Sequence, residues 1–397
     1  MQETFPAKSC PTATPSASQS SIPLSILGEY TRTMIPINPT PIFPHAPRPI
    51  ISIGAGGIVH DAHYPAYQKA NFPVAGIYDR NGERARMMAE KFGVAQVYDT
   101  LHDAVTQAPA NAIFDVAVPA SELVALLPQL PNGRAVLIQK PLGETLEQAR
   151  QICTICQEKE LVAAVNFQLR WAPFVLAARN LIEQGVIGDL HDMEIRATVY
   201  TPWHLWPFLQ AAPFAEIMYH SIHYIDLVRS FLGEPSGVYA KTTSHPSLPQ
   251  MDGSRTTIIF DYGNLLRCNV ETNHHHAYGL RHQESYIKWE GTTGAIKATM
   301  GLLMNYPNGE PDGFEYCQLH KGQEPSWTSV NIDGSWFPDA FMGSMGSLMA
   351  YVEGTTDRLP TRVADALQTM AVADAVCRSS RGGATVVDSD IKESPKH

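Results

Sequence analysis

Between Ile50 and Asn166 the chain repeats one pattern: a short apolar run that does not alternate with polar residues, then a helical stretch. The runs are Ile50–Ile53, Val74–Tyr78, Ile113–Val118, Ala135–Ile138 and Leu161–Asn166. The segments between them that read as helices are Asp61–Ala70, Gly82–Phe92, Glu122–Leu127 and Glu144–Glu160. A strand that is apolar on both sides has both faces covered, and strands joined through helices run parallel. Residues 49–167 are therefore expected to form a doubly wound parallel sheet, an α/β domain of the Rossmann kind.

After Phe167 the alternation stops. A helix at Pro173–Gln184, a strand at Leu190–Tyr200, an aromatic loop at Thr201–Pro213 and a helix at Glu216–Leu232 come first. Strand-like stretches then follow in succession: Gly237–Thr243, Ser254–Tyr262, Leu265–Thr272, Glu284–Glu290 and Ala295–Lys297. Turns such as Tyr262-Gly263-Asn264 join them as hairpins, so the second sheet is expected to be mostly antiparallel. Helices at Ala340–Glu353 and Arg362–Ser380 close an α+β domain over residues 168–385, with 386–397 as a tail. A chain of 397 residues suits two such domains.

Residues 1–48 carry nine prolines with many Ser and Thr and no apolar period. That composition offsets little ordering entropy alone. It predicts a tail, or an arm ordered only by lying on a partner subunit, and Met34 offers an alternative start.

Charge excludes further classes. With 29 Lys and Arg against 39 Asp and Glu, the formal charge is −10. Such a chain has no general attraction to phosphate backbones or anionic lipid, so neither nucleic acid nor a membrane is an expected partner. No apolar run approaches the ~20 residues of a membrane helix. The N-terminus lacks a secretory pattern, and a cytoplasmic location is expected. Of the six cysteines only Cys153 and Cys156 have redox spacing, but they fall in mid-helix, where two small apolar side chains are the expected reading. No Cys/His spacing suggests structural zinc, and no metal is expected.

The first strand runs into Gly54-Ala55-Gly56-Gly57-Ile58-Val59, immediately before a helix. Glycines there allow a tight turn and close approach of a pyrophosphate, which the helix N-terminus favours electrostatically. Val59 stands where a strict fingerprint has a third glycine. Asp79, 25 residues beyond Gly54 at the end of the second strand, suits the hydroxyls of an adenosine ribose and repels a 2′-phosphate. NAD is the expected cofactor, with NADP left open by the adjacent Arg80.

The stretch from Gly54 to Ala66, with its His63-Tyr64-Pro65-Ala66, resembles the opening of the glucose-fructose oxidoreductase/inositol dehydrogenase (Gfo/Idh/MocA) family. Gln139-Lys140-Pro141-Leu142 is similar to that family's Glu-Lys-Pro. Ile187-Gly188-Asp189-Leu190 resembles its entry into the second sheet. His223-Tyr224-Ile225-Asp226, followed by Phe231-Leu232-Gly233-Glu234, resembles its His-x-x-Asp helix. The resemblance runs from about Pro49 to the C-terminus. It implies a Rossmann domain, an open-faced sheet in the second domain, and a homodimer or homotetramer built through that sheet. It also implies cofactor contacts from Pro119, Gln139 and Lys140.

Lys140 lies where a strand stops at the cofactor crevice. An ammonium there can stabilise an alkoxide developing on a substrate, and desolvation lowers its pKa toward working pH. His223 is the expected general base, since imidazole can take the hydroxyl proton as hydride leaves carbon. Tyr219, one helical turn before it, replaces the aspartate many family members carry; it can donate to substrate or orient His223, but brings no fixed charge. Gln139 in place of glutamate removes a stabiliser of charged Lys140. His220 lies near the same face, as a structural histidine or a substrate contact.

Trp203, His204, Trp206, Pro207 and Phe208 precede this helix, either as an aromatic wall for a sugar ring or as a buried plug or subunit contact. Gln168 and Arg170 follow the last Rossmann strand and are expected to face substrate. The run His274-His275-His276 is expected to diverge rather than to converge on a metal, because neighbouring strand residues point to opposite faces. The expected activity is NAD(P)-dependent oxidation of a hydroxyl-bearing carbon in a sugar, sugar derivative or cyclic polyol. Two alternatives stay open: transient oxidation by a retained NAD for epimerisation, elimination or glycoside cleavage, and a non-catalytic dinucleotide-sensing regulator.

Overall fold

In the computed structural model, which describes residues 35–383, two sheets carry the chain from Ile37 onward. The first is formed by β1 (Ile50–Ile53), β2 (Val74–Tyr78), β3 (Gln96–Val97), β4 (Ile113–Val116), β5 (Ala135–Ile138) and β6 (Val162–Val165). Every pairing is parallel and the order is β3-β2-β1-β4-β5-β6. That order reverses between β1 and β4, which opens a crevice at the strand C-termini. β1, β4 and β5 are buried throughout, as their uninterrupted apolar sequences require.

Helices α1 (Tyr64–Lys69), α2 (Gly82–Phe92), α3 (Leu101–Thr106), α4 (Leu123–Leu126) and α5 (Leu146–Glu158) join these strands. Asn81 caps α2 through the N–H groups of Glu83 and Arg84, and Gly93 in the left-handed region ends it. Cys153 and Cys156 lie inside α5, where burial raises both thiol pKa values and pushes Cys156 up to about 12. Neither is the low-pKa thiolate that a redox centre needs.

The second sheet has eight strands: β7 (Leu190–Thr198), β8 (Gly237–Thr243), β9 (Arg255–Asp261), β10 (Arg267–Asn273), β11 (Glu284–Gly291), β12 (Gly294–Thr299), β13 (Gly313–Gln318) and β14 (Trp327–Ser329). In the order β14-β13-β12-β11-β7-β10-β9-β8, only β7 and β10 pair in parallel. Alternating burial along β9 to β12 gives the sheet one covered and one open face. Helices α6 (Pro173–Glu183), α7 (Ile222–Leu232), α8 (Asp339–Glu353) and α9 (Val363–Arg381) complete the described chain.

Two features go beyond the sequence reading. Helix α8 packs into the core of the first sheet: Phe341, Met345, Leu348 and Met349 join one apolar cluster with Ile50, Val59, Tyr67 and Leu137. Residues 38–48 also need no partner subunit to order them. The N–H groups of His45 and Ala46 donate to the Glu353 carboxylate at 2.8 and 2.7 Å, and Asn38 N–H donates to Asn180 Oδ1 at 3.0 Å. The Phe43 ring meets Phe72 edge-on at 5.9 Å. The expectations for the stretch before residue 35 and for the tail after 383 lie outside the described residues. Among the described residues no helix is long and apolar enough to cross a membrane.

Candidate active site

The turn after β1 closes against β4. Gly54 has φ +110°, and a Cβ there would sit 2.3 Å from the Ala117 carbonyl oxygen, so only glycine fits. Gly56 is different: a Cβ there would meet nothing within 4 Å. This glycine borders open space at the mouth of the crevice, the opening a pyrophosphate would need. The helix begins at Gly57 and passes through a π-helical stretch, Val59–His63, before α1.

Asp79 anchors the other side. Its Oδ2 accepts the Ala55 N–H at 2.7 Å and its Oδ1 accepts the Asn81 N–H at 2.7 Å. One carboxylate thus fixes the glycine turn to the end of β2 and keeps lone pairs for ribose hydroxyls. The neighbouring Arg80 side chain is turned away to Glu122, 2.5 Å from it. Pro119 is exposed just beyond β4, beside this mouth, and Ile58 is half-buried. The Val59 side chain is not turned to the crevice: it is fully buried in the core beneath. These residues fit a bound dinucleotide, with Gly54, Gly56 and Gly57 for the pyrophosphate and Asp79 for the adenosine ribose.

Lys140 follows β5 at the same edge. Its Nζ donates to the Tyr219 carbonyl oxygen at 2.7 Å and lies 5.9 Å from the centre of the Tyr219 ring. Burial lowers its pKa to about 8. Beneath it, Gln139 Oε1 accepts from Asn166 Nδ2 at 2.9 Å, and Asn166 Nδ2 is 3.3 Å from His63 Nε2. His63 Nδ1 is 2.8 Å from Asp115 Oδ2, which also accepts from the Tyr67 hydroxyl at 3.0 Å. Gln139 is therefore the upper end of a buried polar chain reaching under the first sheet.

Tyr219, His220 and His223 come from one continuous helix whose first part, Ile217–Ser221, is π-helical before α7 begins. The wider turn breaks the simple four-residue alignment of Tyr219 with His223, and π-turns inside helices recur at functional sites. His223 is buried, with its ring 5.6 Å from Trp336 and Nδ1 lacking a hydrogen-bond partner among the described residues. Desolvation first, then the nearby Lys140 charge, holds its pKa well below the usual imidazole value. His223 is thus a neutral base beside an ammonium.

His220 belongs to a second group. Its ring stacks on Trp203 at 5.1 Å and meets His274 at 4.4 Å. His274 Nδ1 is 2.9 Å from Thr201 Oγ1, and its Nε2 faces Glu216 Oε1 at 3.5 Å. Glu216 is fully buried and also accepts from Ser221 Oγ at 2.6 Å. Burial pushes its carboxyl up, but His274, Ser221 and Thr256 together hold it below its ordinary value.

The other sequence-derived residues divide. Trp203 is buried in a small cluster with Leu209, Ala215 and Met251, so the plug reading holds for it. Phe208 remains exposed and meets the Tyr219 ring edge-on at 5.7 Å, and His204 is exposed on the same loop. Gln168 is buried, with Oε1 lacking a hydrogen-bond partner among the described residues. Arg170 does not face substrate. Its guanidinium is consumed by Asp226 (2.6 Å twice), Asp365 (2.7 Å) and the Pro360 carbonyl (3.1 Å). The three consecutive imidazoles diverge: His274 goes to Glu216, His275 to Ser247 at 2.9 Å, and His276 to the Arg281 carbonyl at 3.1 Å.

Sequence reasoning missed Glu216, Trp336 and the His63–Asp115 pair as neighbours of the site. His63 carried a signal in the His63-Tyr64-Pro65-Ala66 stretch and Glu216 one as an acid on an otherwise apolar helical face, whereas Trp336 carried none.

A family description, an oxidoreductase family with an NAD-binding Rossmann fold, matches residues 50–167, and that family's C-terminal alpha/beta domain matches residues 179–387. The chain belongs to the Gfo/Idh/MocA oxidoreductase family. Among Gfo/Idh/MocA-like proteins, D-apiose dehydrogenase of Rhizobium rhizogenes (strain K84 / ATCC BAA-868) is 24% identical over 327 residues, covering 79% of this chain and 89% of its own. A solved oxidoreductase from Agrobacterium radiobacter, in complex with NAD+, L-tartaric acid and magnesium, superposes with a TM-score of 0.68 at 22% identity, covering 86% of this chain and 98% of that one. Levoglucosan dehydrogenase in complex with NADH and levoglucosan gives 0.68 at 19% identity, covering 85% and 98%. At these identities the solved structures speak for the fold.

Proposed function

We propose that this chain is an NAD-dependent dehydrogenase that oxidises a hydroxyl-bearing carbon of a sugar, sugar derivative or cyclic polyol. One observation carries the reading: from the end of β5, at the edge that bears the glycine turn, the Lys140 ammonium bonds the Tyr219 carbonyl at 2.7 Å, on the same helix that carries the buried imidazole of His223. Bound NAD+ supplies the hydride acceptor. His223 takes the substrate hydroxyl proton, and Lys140 donates a hydrogen bond to the same oxygen as negative charge develops on it. The buried Trp336 ring, edge-on to His223, limits water at that point. The dehydrogenase and sugar names of the relatives support the reading. Asp79 on the glycine turn, with Arg80 held by Glu122, supports NAD over NADP.

The test is a panel of aldoses, inositols, sugar acids and glycosides with NAD and with NADP, followed at the NADH absorbance band. Reduced cofactor with at least one substrate class, faster with NAD, is expected. NADH binding without turnover across the panel would sink the reading and favour a sensing role. The exposed Tyr239 and Ile259 on the open face of the second sheet mark the surface through which two copies would pair. Light scattering of the purified chain tests this, and a monomer counts against it.

A further inference from the structure

Lys140 is a partly buried cation with no counter-ion among the described residues. Its one hydrogen bond goes to a neutral main-chain carbonyl, and among the described residues no carboxylate forms an ion pair with it. The groups that feel its charge are the imidazoles of His220 and His223. Glu216, on the same helix, is fully buried and already engaged by Ser221 and His274. Glu144 is exposed and acts on the Tyr219 hydroxyl. Tyr219, whose ring centre lies 5.9 Å from the Lys140 ammonium, is uncharged at neutral pH, and burial raises its pKa further.

An ammonium taken out of water without a counter-ion is costly, and an anion delivered by a ligand offsets that cost. A neutral polyol leaves that charge uncompensated, whereas a ligand carboxylate compensates it. We infer that the natural substrate is a sugar acid, an aldonate or uronate, whose carboxylate sits beside Lys140 while a carbinol carbon of the same molecule is oxidised. This rests on the dehydrogenase reading above and names its substrate class.

Matched pairs test it: D-glucose against D-glucuronate and D-gluconate, and D-galactose against D-galacturonate. Each is assayed for NAD reduction, and separately by calorimetry for binding to the full chain saturated with NADH. At least one acid is expected to exceed its neutral partner by about 30-fold in kcat/KM, the scale of one well-placed desolvated charge contact. Tyr219→Asp, which places a fixed anion beside Lys140, should abolish that preference, while Tyr219→Asn should keep it. Should Tyr219→Asp fail to fold, the wild-type pairs still decide. Neutral sugars oxidised as well as their acids would overturn the substrate class and leave the dehydrogenase reading intact. Acids that bind selectively without reducing NAD would uphold the carboxylate site and remove the dehydrogenase. Failure of every acid to bind would overturn the inference.

Discussion

Burial holds the Lys140 ammonium at about 8, so the proton this residue donates is present at neutral pH and lost just above it. Activity that needs the donor must fall as pH rises through that value. On the acid side, His223 is lowered well below the usual imidazole range, first by desolvation and then by Lys140. It therefore remains a competent base to lower pH than an ordinary histidine. A kcat/KM profile should show an alkaline limb near pH 8 and an acid limb below pH 6.5, the ordinary imidazole value. Lys140→Met should lower kcat by about 10²-fold or more and remove the alkaline limb. Gln139→Glu adds a carboxylate next to the ammonium and keeps an acceptor for Asn166, now 2.9 Å away. A raised lysine pKa should move the alkaline limb upward, and an unmoved limb would show that burial alone sets it.

At the scale of elements, the helix carrying His223 is tied down behind the site by ions rather than by packing alone. Asp226, one turn beyond His223, pairs with Arg170 and accepts from Thr369 Oγ1 at 2.9 Å, so the acid of the His-x-x-Asp pattern bonds α7 to α9. Arg229, farther along α7, reaches Glu234, Asp365 and Thr369 in the same way. Arg170→Met should leave Asp226 buried and unpaired, at a cost of about 3–5 kcal/mol in unfolding free energy. It should leave the KM of the folded fraction unchanged, and a selective rise in KM would restore the substrate role expected from sequence. The apolar periods of β1, β2, β5 and α2 were legible because each element satisfies its own pattern. The π-helical turn at Ile217–Ser221 was not, since its apolar spacing reads equally well as α-helix. Nor was the partner of Arg170 visible, because Asp226 and Asp365 lie far along the chain and nothing local distinguishes a buried guanidinium from one facing a ligand. Lys140 and His223 were legible through motif and position, whereas Glu216 and His274 meet only through the sheet.

On the whole-molecule scale, α8 packs into the first sheet's core although it lies late in the chain, and small residues let other elements seat against it. A Cβ on Gly343 would lie 2.5 Å from the Trp171 side chain, and one on Gly346 would lie 2.6 Å from Phe43 Cδ1. The segment through Phe43 is held at its far end by Glu353, whose carboxyl is drawn down to about 2 by the Thr355 hydroxyl and then by the N–H groups of His45 and Ala46. A carboxyl depressed in the folded chain contributes stability above its ordinary pKa and loses it as pH falls toward the folded value. Glu353→Gln should thus lower the melting temperature at neutral pH, with a deficit that shrinks toward pH 2. Position 346 offers a sharper test. Glycine inside a helix costs about 1 kcal/mol relative to alanine, so Gly346→Ala would ordinarily stabilise α8. Here the added methyl must displace the Phe43 ring, and overpacking costs about 1–3 kcal/mol. Gly346→Ala should therefore lower the unfolding midpoint of the wild-type chain but raise that of the Phe43→Ala variant. Denaturant melts of the four proteins measure this reversal as a coupling between positions 43 and 346, and additive effects would mean that the Phe43 segment does not seat on α8 in solution.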